Sequence, residues 1–423
     1  MATLLFTATF LVLLAASLAV RIWLAHRQVR CVRRHRDDVP GAFCACIDAA
    51  AHRKAADYTI ARVQVDEVEA AVDTLALLAL TLGGGVAALA RATGTLAVAP
   101  LVQDLALVAA VALVGGAIAL PFSWWRTFGV EARFGFNRST RKRWAADVAS
   151  AAAVTVILGA PLAAAVLWLM GVAGPLWWLD AWVVWVAFVV ALAVLYPALI
   201  APLFNRFTPL PPGILRERVE RLLVRCRFGA ARLFVVDGSR RSSHANAWFA
   251  GLGRAKRIAL FDTLLERLSP DEVEAVLAHE IGHYRLHHVA RRIAWSAAAS
   301  LVGLALLAAV ARAPWFLEGL GIAADDVPAM LIRPGVALVL FVLALPAFTF
   351  VLAPVASAWS RRHEFEADAF AANHASAPAL VAALTRLYAD NASTLTPDPL
   401  YAAFHDSHPA AAERVARIAA ATP

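Results

Sequence analysis

Apolar residues run through this chain in long, nearly unbroken blocks, and the charged ones gather in the intervals between them. A block of roughly 20 apolar residues can cross the hydrocarbon core of a bilayer as a helix. Such blocks fall at Thr3 to Leu24, Val68 to Leu89, Leu101 to Phe122, Val148 to Val172, Trp178 to Phe204, Ile293 to Val310 and Leu331 to Ala353, and they predict about seven spans. Gly83-Gly84-Gly85 interrupts the second block, which predicts close helix packing or an irregular turn there. From Asn205 to about Val289 the pattern is that of a soluble segment. It predicts an amphipathic helix over Leu215 to Arg225, a strand over Arg232 to Val236, and a strand pair, Asn246 to Phe249 and Arg257 to Phe261, around Gly251-Leu252-Gly253.

The division of the chain follows. Residues 1–204 hold five spans and two basic loops, 205–290 the soluble segment, 291–356 the last two spans, and 357–423 C-terminal helices. Basic residues mark the cytoplasmic side of a span. They follow the first block at Arg27, Arg30, Arg33, Arg34 and Arg36, and return at Arg126, Arg133, Arg138, Arg141, Lys142 and Arg143. The link around Asp180 and the stretch from Ala313 to Ile332, with Glu318, Asp325 and Asp326, carry no Lys or Arg and are expected outside. The N-terminus is therefore expected outside and the C-terminus in the cytoplasm. No positive charge precedes the first block, so it is read as an uncleaved anchor and not a signal peptide.

Composition agrees: of 423 residues 61% are hydrophobic and 17% charged, with mean hydropathy +0.66. The net charge of +8 lies mainly in arginines beside apolar blocks, where it meets anionic lipid head groups, and nucleic acid is not an expected partner. The four cysteines, Cys31, Cys44, Cys46 and Cys226, form no C-x-x-C pair and receive no catalytic role. Cys44 and Cys46, flanking Ala45, are read as small packing residues.

One stretch carries chemistry. Ser269-Pro-Asp-Glu272 reads as a helix start, with an N-cap serine, proline at the first helical position and glutamate three residues after the cap. The helix it opens carries His279-Glu-Ile-Gly-His283. Four residues are about one turn, so both imidazoles leave one face and can share a metal ion. Glu280 beside them can take a proton from an attacking water and give it to a leaving amine. A catalytic zinc takes three protein ligands and keeps one position open. Ser360-Arg-Arg-His-Glu-Phe-Glu-Ala-Asp368 offers Glu364 as the third, with Asp368 one turn on as the partner of a ligand histidine or an arginine. Spacing alone leaves open that these two acids are simply the wet face of a surface helix.

A longer set of runs resembles the type I CAAX prenyl protease family, integral-membrane zinc endopeptidases related to the bacterial heat-shock membrane protease. They are Tyr196-Pro197, Ile200-Ala-Pro-Leu-Phe204, Phe207-Thr-Pro-Leu-Pro211, Gly238-Ser239, Arg241-Ser-Ser-His244, Asn246-Ala247, Lys256-Arg257-Ile258, Leu260-Phe-Asp-Thr-Leu-Leu265, the His279 to His283 motif, Ser360-Arg-Arg362, Glu364-Phe365, Ala367-Asp-Ala-Phe370, Ser407-His408-Pro409 and Glu413-Arg414, with Glu131 and Gly135-Phe136-Asn137 upstream. The resemblance implies an α-helical polytopic membrane protein, its spans forming a barrel around a water-filled chamber, with a small α+β zinc-peptidase domain on the cytoplasmic side. It implies one Zn2+ per chain on His279, His283 and Glu364, with Glu280 as general base, His408 supporting the oxyanion, Asp368 and Arg414 behind the ligands, and Asn246 and Ala247 binding substrate main chain. Leu265 reaches Ser269 without the insertion that eukaryotic members carry, which favours a bacterial member in the cytoplasmic membrane. Bacteria generally do not prenylate proteins, so the expected substrate is a CAAX-type C-terminus, prenylated or otherwise lipidated, or a related membrane polypeptide. A quality-control protease and a non-cleaving chaperone or scaffold are the alternatives, and the intact Glu280 argues against the last.

Overall fold

Helix formers without Gly or Pro fill the first apolar block and the arginines after it, so one helix runs Ala2–Arg34, past the predicted end. The second, Ala49–Leu80, starts where the Asp48 carboxylate accepts from Ala51 N at 2.6 Å. It breaks at the glycines: Gly84 takes φ +75°, open to glycine at no steric cost, and the chain resumes at Gly85–Gly94 bent by 52°. Further long helices run Pro100–Glu131, Arg141–Val172, Gly174–Phe204, His288–Val310 and Pro334–His374. The computed structural model describes residues 1–228, 232–250 and 257–420. Among these residues six helices are long and apolar enough to cross a membrane, or seven with the bent pair as one span. The predicted turn at Gly251-Leu252-Gly253 lies outside the described residues.

The spans pack in chain order, each on the next, and the last returns onto both the sixth and the first, closing a barrel. Leu113, Val156, Ile157 and Trp168 on these helices remain exposed, as apolar residues in contact with lipid do. Inside, adjoining cavities of about 330 and 260 Å3 share Arg21, Ala70 and Asp73, and Asp66 and Glu69 line the second. Ionisable groups on spanning helices turn inward to a hydrated space because the lipid side is too costly. The third span runs on past its apolar block through a wide helical turn, Trp125–Glu131, into the basic interval that begins at Arg126. Trp124, Phe128 and Trp144 pack together there, the helical turn carries Gly129 within it, and the chain leaves the helix before Gly135, at φ +77°.

The soluble segment forms a four-stranded sheet from β1 (Phe207–Pro209), β2 (Arg232–Val236), β3 (Ala247–Ala250) and β4 (Arg257–Phe261) in the order β1-β2-β4-β3. β2 and β4 are parallel, and the outer strands pair antiparallel to them. Ile258, Ala259 and Leu260 are buried on the central β4, and Ile258 and Leu260 join Leu222, Leu264, Leu277 and Ile281 in one core under the helix Pro270–Arg285. The upstream run at Phe136 straps onto the same unit: Ser243 N donates to Phe136 O, Arg138 N donates to Arg241 O, and Tyr58 and His244 meet on Glu131. Arg241 adds a bidentate pair with Asp147 at 2.8 Å on both arms. The last span passes through a tight turn, Phe350–Leu352, straight into Ala353–His374. That continuity fixes its acids rigidly against the barrel. Cys44 and Cys46 are both exposed, so they are not packing residues.

Candidate active site

The helix Pro270–Arg285 begins with the predicted reciprocal cap: the Ser269 hydroxyl accepts from Glu272 N, and Glu272 Oε2 accepts from Ser269 N at 2.7 Å. It packs across Ala353–His374. A Cβ on Gly282 would lie 3.2 Å from Ala367 Cα and from Phe370 Cβ. Glycine inside the motif thus lets the two helices approach closely enough for an acid on one to reach the imidazoles of the other.

Glu364 is that acid. His279 Nε2 and His283 Nε2 are 3.1 Å apart, Glu364 Oε2 is 3.5 Å from the first, and Glu364 Oε1 is 3.4 Å from the second. A tetrahedral ion with bonds of about 2.0–2.1 Å needs donors about 3.3–3.4 Å apart. The three groups therefore fit a zinc ion. Glu364 Oε2 is buried and accepts no hydrogen bond, which leaves it free for a cation. Charge agrees: burial opposes a proton on His279, yet Asp368 and Glu364 outweigh it and raise its pKa to about 9, so this cage favours positive charge.

Asp368 Oδ1 lies 2.9 Å from His279 Nδ1 in a bent contact, and Arg414 holds the Asp368 carboxylate with two arms at 2.8 and 2.6 Å. Glu280 opens onto a cleft of about 350 Å3 with Asn246, Ala247, His279, Glu364, His408 and Arg414. Burial pushes the Glu280 carboxyl above its usual range, and the imidazoles of His279 and His283 partly oppose this. His408, whose side chain is 64% exposed, lines this cleft, with Nε2 3.6 Å from Glu364 Oε2. Its Nδ1 lies 3.0 Å from the Ser407 hydroxyl. Desolvation in the cleft, with Arg414, His279 and His283 nearby, outweighs the Glu364 carboxylate and lowers its pKa, which favours the neutral imidazole. Asn246 stands one residue before β3, not within a strand as predicted, and its carbonyl accepts from Phe261 N at 3.1 Å. β3 is an edge of the sheet and borders the cleft.

Sequence reasoning missed two groups. Asn391 clamps the backbone of Ala245 from both sides, accepting from its N at 2.9 Å and donating to its O at 3.2 Å, and so fixes the residue before Asn246. Behind the second ligand, His283 Nδ1 is 3.0 Å from His288 Nδ1, and His288 Nε2 is 3.0 Å from Glu366 Oε2. The rule that a ligand imidazole needs a partner for its other nitrogen could have pointed to His288, five residues on. Nothing in the sequence marks Asn391.

Residues 28–206 match the family described as CAAX prenyl protease N-terminal, five membrane helices, and residues 209–422 match peptidase family M48. The CAAX prenyl protease 1 homolog of Oryza sativa subsp. japonica is 36% identical over 319 residues, 75% of this chain and 73% of that protein. CAAX prenyl protease 1 of Saccharomyces cerevisiae is 33% identical over 332 residues, 76% of this chain and 73% of that one. The crystal structure of S. mikatae Ste24p superposes with a TM-score of 0.88 at 28% identity, covering 99% of each chain.

Proposed function

Because the chain belongs to the CAAX prenyl protease family and is a membrane zinc metalloendopeptidase, we propose that it trims the C-termini of lipidated, CAAX-type polypeptides at the cytoplasmic face of a cell membrane. The observation that carries the site assignment is the close grouping of His279, His283 and Glu364 beside a cleft that Glu280 and the edge strand β3 also line. His279, His283 and Glu364 would hold the zinc. Bound there, the ion supplies Lewis-acid polarisation of the attacking water and the scissile carbonyl.

The remaining work falls to side chains. A substrate main chain adds to the β3 edge, which Asn246 opens and Asn391 steadies through Ala245, and this gives affinity without demanding much side-chain sequence. Glu280 takes the proton of the attacking water and delivers it to the leaving amine; burial raises its pKa above the usual carboxylate range, which strengthens it as a base. When Ser407 donates to His408 Nδ1, the single proton of that ring sits on Nε2, the nitrogen turned toward the ligand cluster. From there it can donate to a carbonyl oxygen that is gaining charge. His408→Phe is expected to keep zinc content and thermal stability while kcat falls about 10²–10³-fold, the usual cost of one such donor. Near wild-type kcat in the zinc-loaded variant would remove His408 from the chemistry.

Substrate class and sidedness are tested together. Inside-out vesicles of cells producing the chain should cut a prenylated C-a-a-X peptide after its lipidated cysteine, and lose this activity to a zinc chelator. Sealed right-side-out vesicles should not cut it. Equal cutting of the same peptide without lipid would overturn the substrate class, and activity confined to right-side-out vesicles would overturn the orientation.

A further inference from the structure

The two ligand histidines are supported differently. His279 has the Asp368 carboxylate behind it, itself held by Arg414. His283 has another histidine. We propose that His288 and Glu366 form a positioning relay that fixes the tautomer and ring orientation of His283; the proposal rests on the zinc site assigned above.

The tautomers follow in sequence. His283 turns Nε2 toward His279 and Glu364, at 3.1 and 3.4 Å, and that nitrogen must present its lone pair to a metal. The ring proton then sits on Nδ1, which donates to His288 Nδ1 at 3.0 Å. His288 accepts there, so its own proton is on Nε2, which donates to Glu366 Oε2 at 3.0 Å. Glu366 is kept an ionised acceptor by Arg362, 3.0 Å from Oε1, and Arg291, 3.5 Å from Oε2. The reverse assignment would set two N–H groups against each other between the rings.

The chain is bent to make this contact. His287 adopts φ +59°, a left-handed conformation uncommon for a residue with a side chain, and so turns the chain between the motif helix and the next span back onto the site. His288 is 3% exposed. The His363 ring stacks on it at 4.0 Å and 10°, holding its plane. His288, His363 and Glu366 also stand close enough together to hold a cation of their own. The relay argues against that: both nitrogens of His288 are already used, and a cation on Nε2 would drive its proton to Nδ1, against His283.

The test uses the purified full-length zinc protein, with zinc per chain measured by elemental analysis and zinc release by chelator competition. His288→Phe is expected to weaken zinc retention about 10–100-fold, the usual cost of losing such a partner. His288→Asn, whose amide oxygen can take the place of Nδ1 as acceptor, should recover most of it. Glu366→Ala, at the partly exposed end of the relay, should release zinc about 10-fold faster with thermal stability of the metal-stripped protein unchanged, a result that a purely structural role would not give. Wild-type zinc release in folded His288→Phe or Glu366→Ala overturns the relay. Two zinc ions per chain, falling to one in His363→Phe, overturns it in favour of a second metal site. A wild-type protein that binds no zinc defeats the zinc reading itself and the relay with it, whereas zinc lost in Glu364→Ala but retained in His288→Phe defeats the relay alone.

Discussion

Glu280→Gln leaves zinc content and fold at wild-type level and lowers turnover by about 10²–10⁴-fold, the range that a positioned general base supplies. Glutamine keeps the shape and hydrogen-bonding reach of the side chain but cannot accept a proton, so the step that makes the nucleophile is lost while the cleft and the His279, His283 and Glu364 donors stay intact. The pH profile separates this from a binding defect. Glu280 acts as a base only when ionised, and burial raises its pKa, so wild-type kcat/KM should fall as pH drops through a value above the ordinary carboxylate range. The residual activity of the variant should lack that acid limb. Steady-state kinetics beside zinc analysis decides it: wild-type turnover in the zinc-loaded variant would dismiss Glu280 as the base. The same variant, binding without cutting, is the form in which to recover natural substrates by mass spectrometry.

What the sequence could reveal depended on how local the physics is. Spans were legible because a bilayer demands a contiguous apolar block, and even the break at Gly83-Gly84-Gly85 showed, since only glycine takes the conformation of Gly84 freely. The start of the motif helix was legible for the same reason: its cap lies within four residues. The third ligand was not. Two acids one turn apart are common on wet helices, and only the resemblance selected Glu364; its approach to the imidazoles depends on the helix contact that Gly282 permits. His288 was hidden by a single left-handed residue, His287, which no helical period carries through. Asn391 acts on a backbone far from it in sequence, and a side chain that binds main chain leaves no partner motif. Past Trp124 the helix outlasts the apolar block because aromatic packing sustains it through more polar sequence as far as Glu131.

Glu364→Ala is expected to abolish activity by emptying the metal site, with zinc falling from about one ion per chain to a small fraction of that. Two imidazoles on one turn remain, but the only anionic donor among the described residues in contact with both is gone. Arg414, 4.0 Å from Glu364 Oε2, is then balanced by Asp368 alone, so the site loses one of the two carboxylates that favour a cation. Asp368 cannot take over, since its carboxylate is committed to Arg414 through both oxygens. A graded comparison separates a ligand from its support. Asp368→Asn removes only what orients His279, so zinc affinity should drop about 10–100-fold and activity should return when zinc is raised. Glu364→Ala should not be rescued by added zinc, because among the described residues no other carboxylate contacts the Nε2 atoms of both imidazoles. Elemental analysis across a zinc titration reads both. Full zinc and full activity in Glu364→Ala would take that residue out of the ligand set, and the tetrahedral spacing of the three donors would then need another explanation.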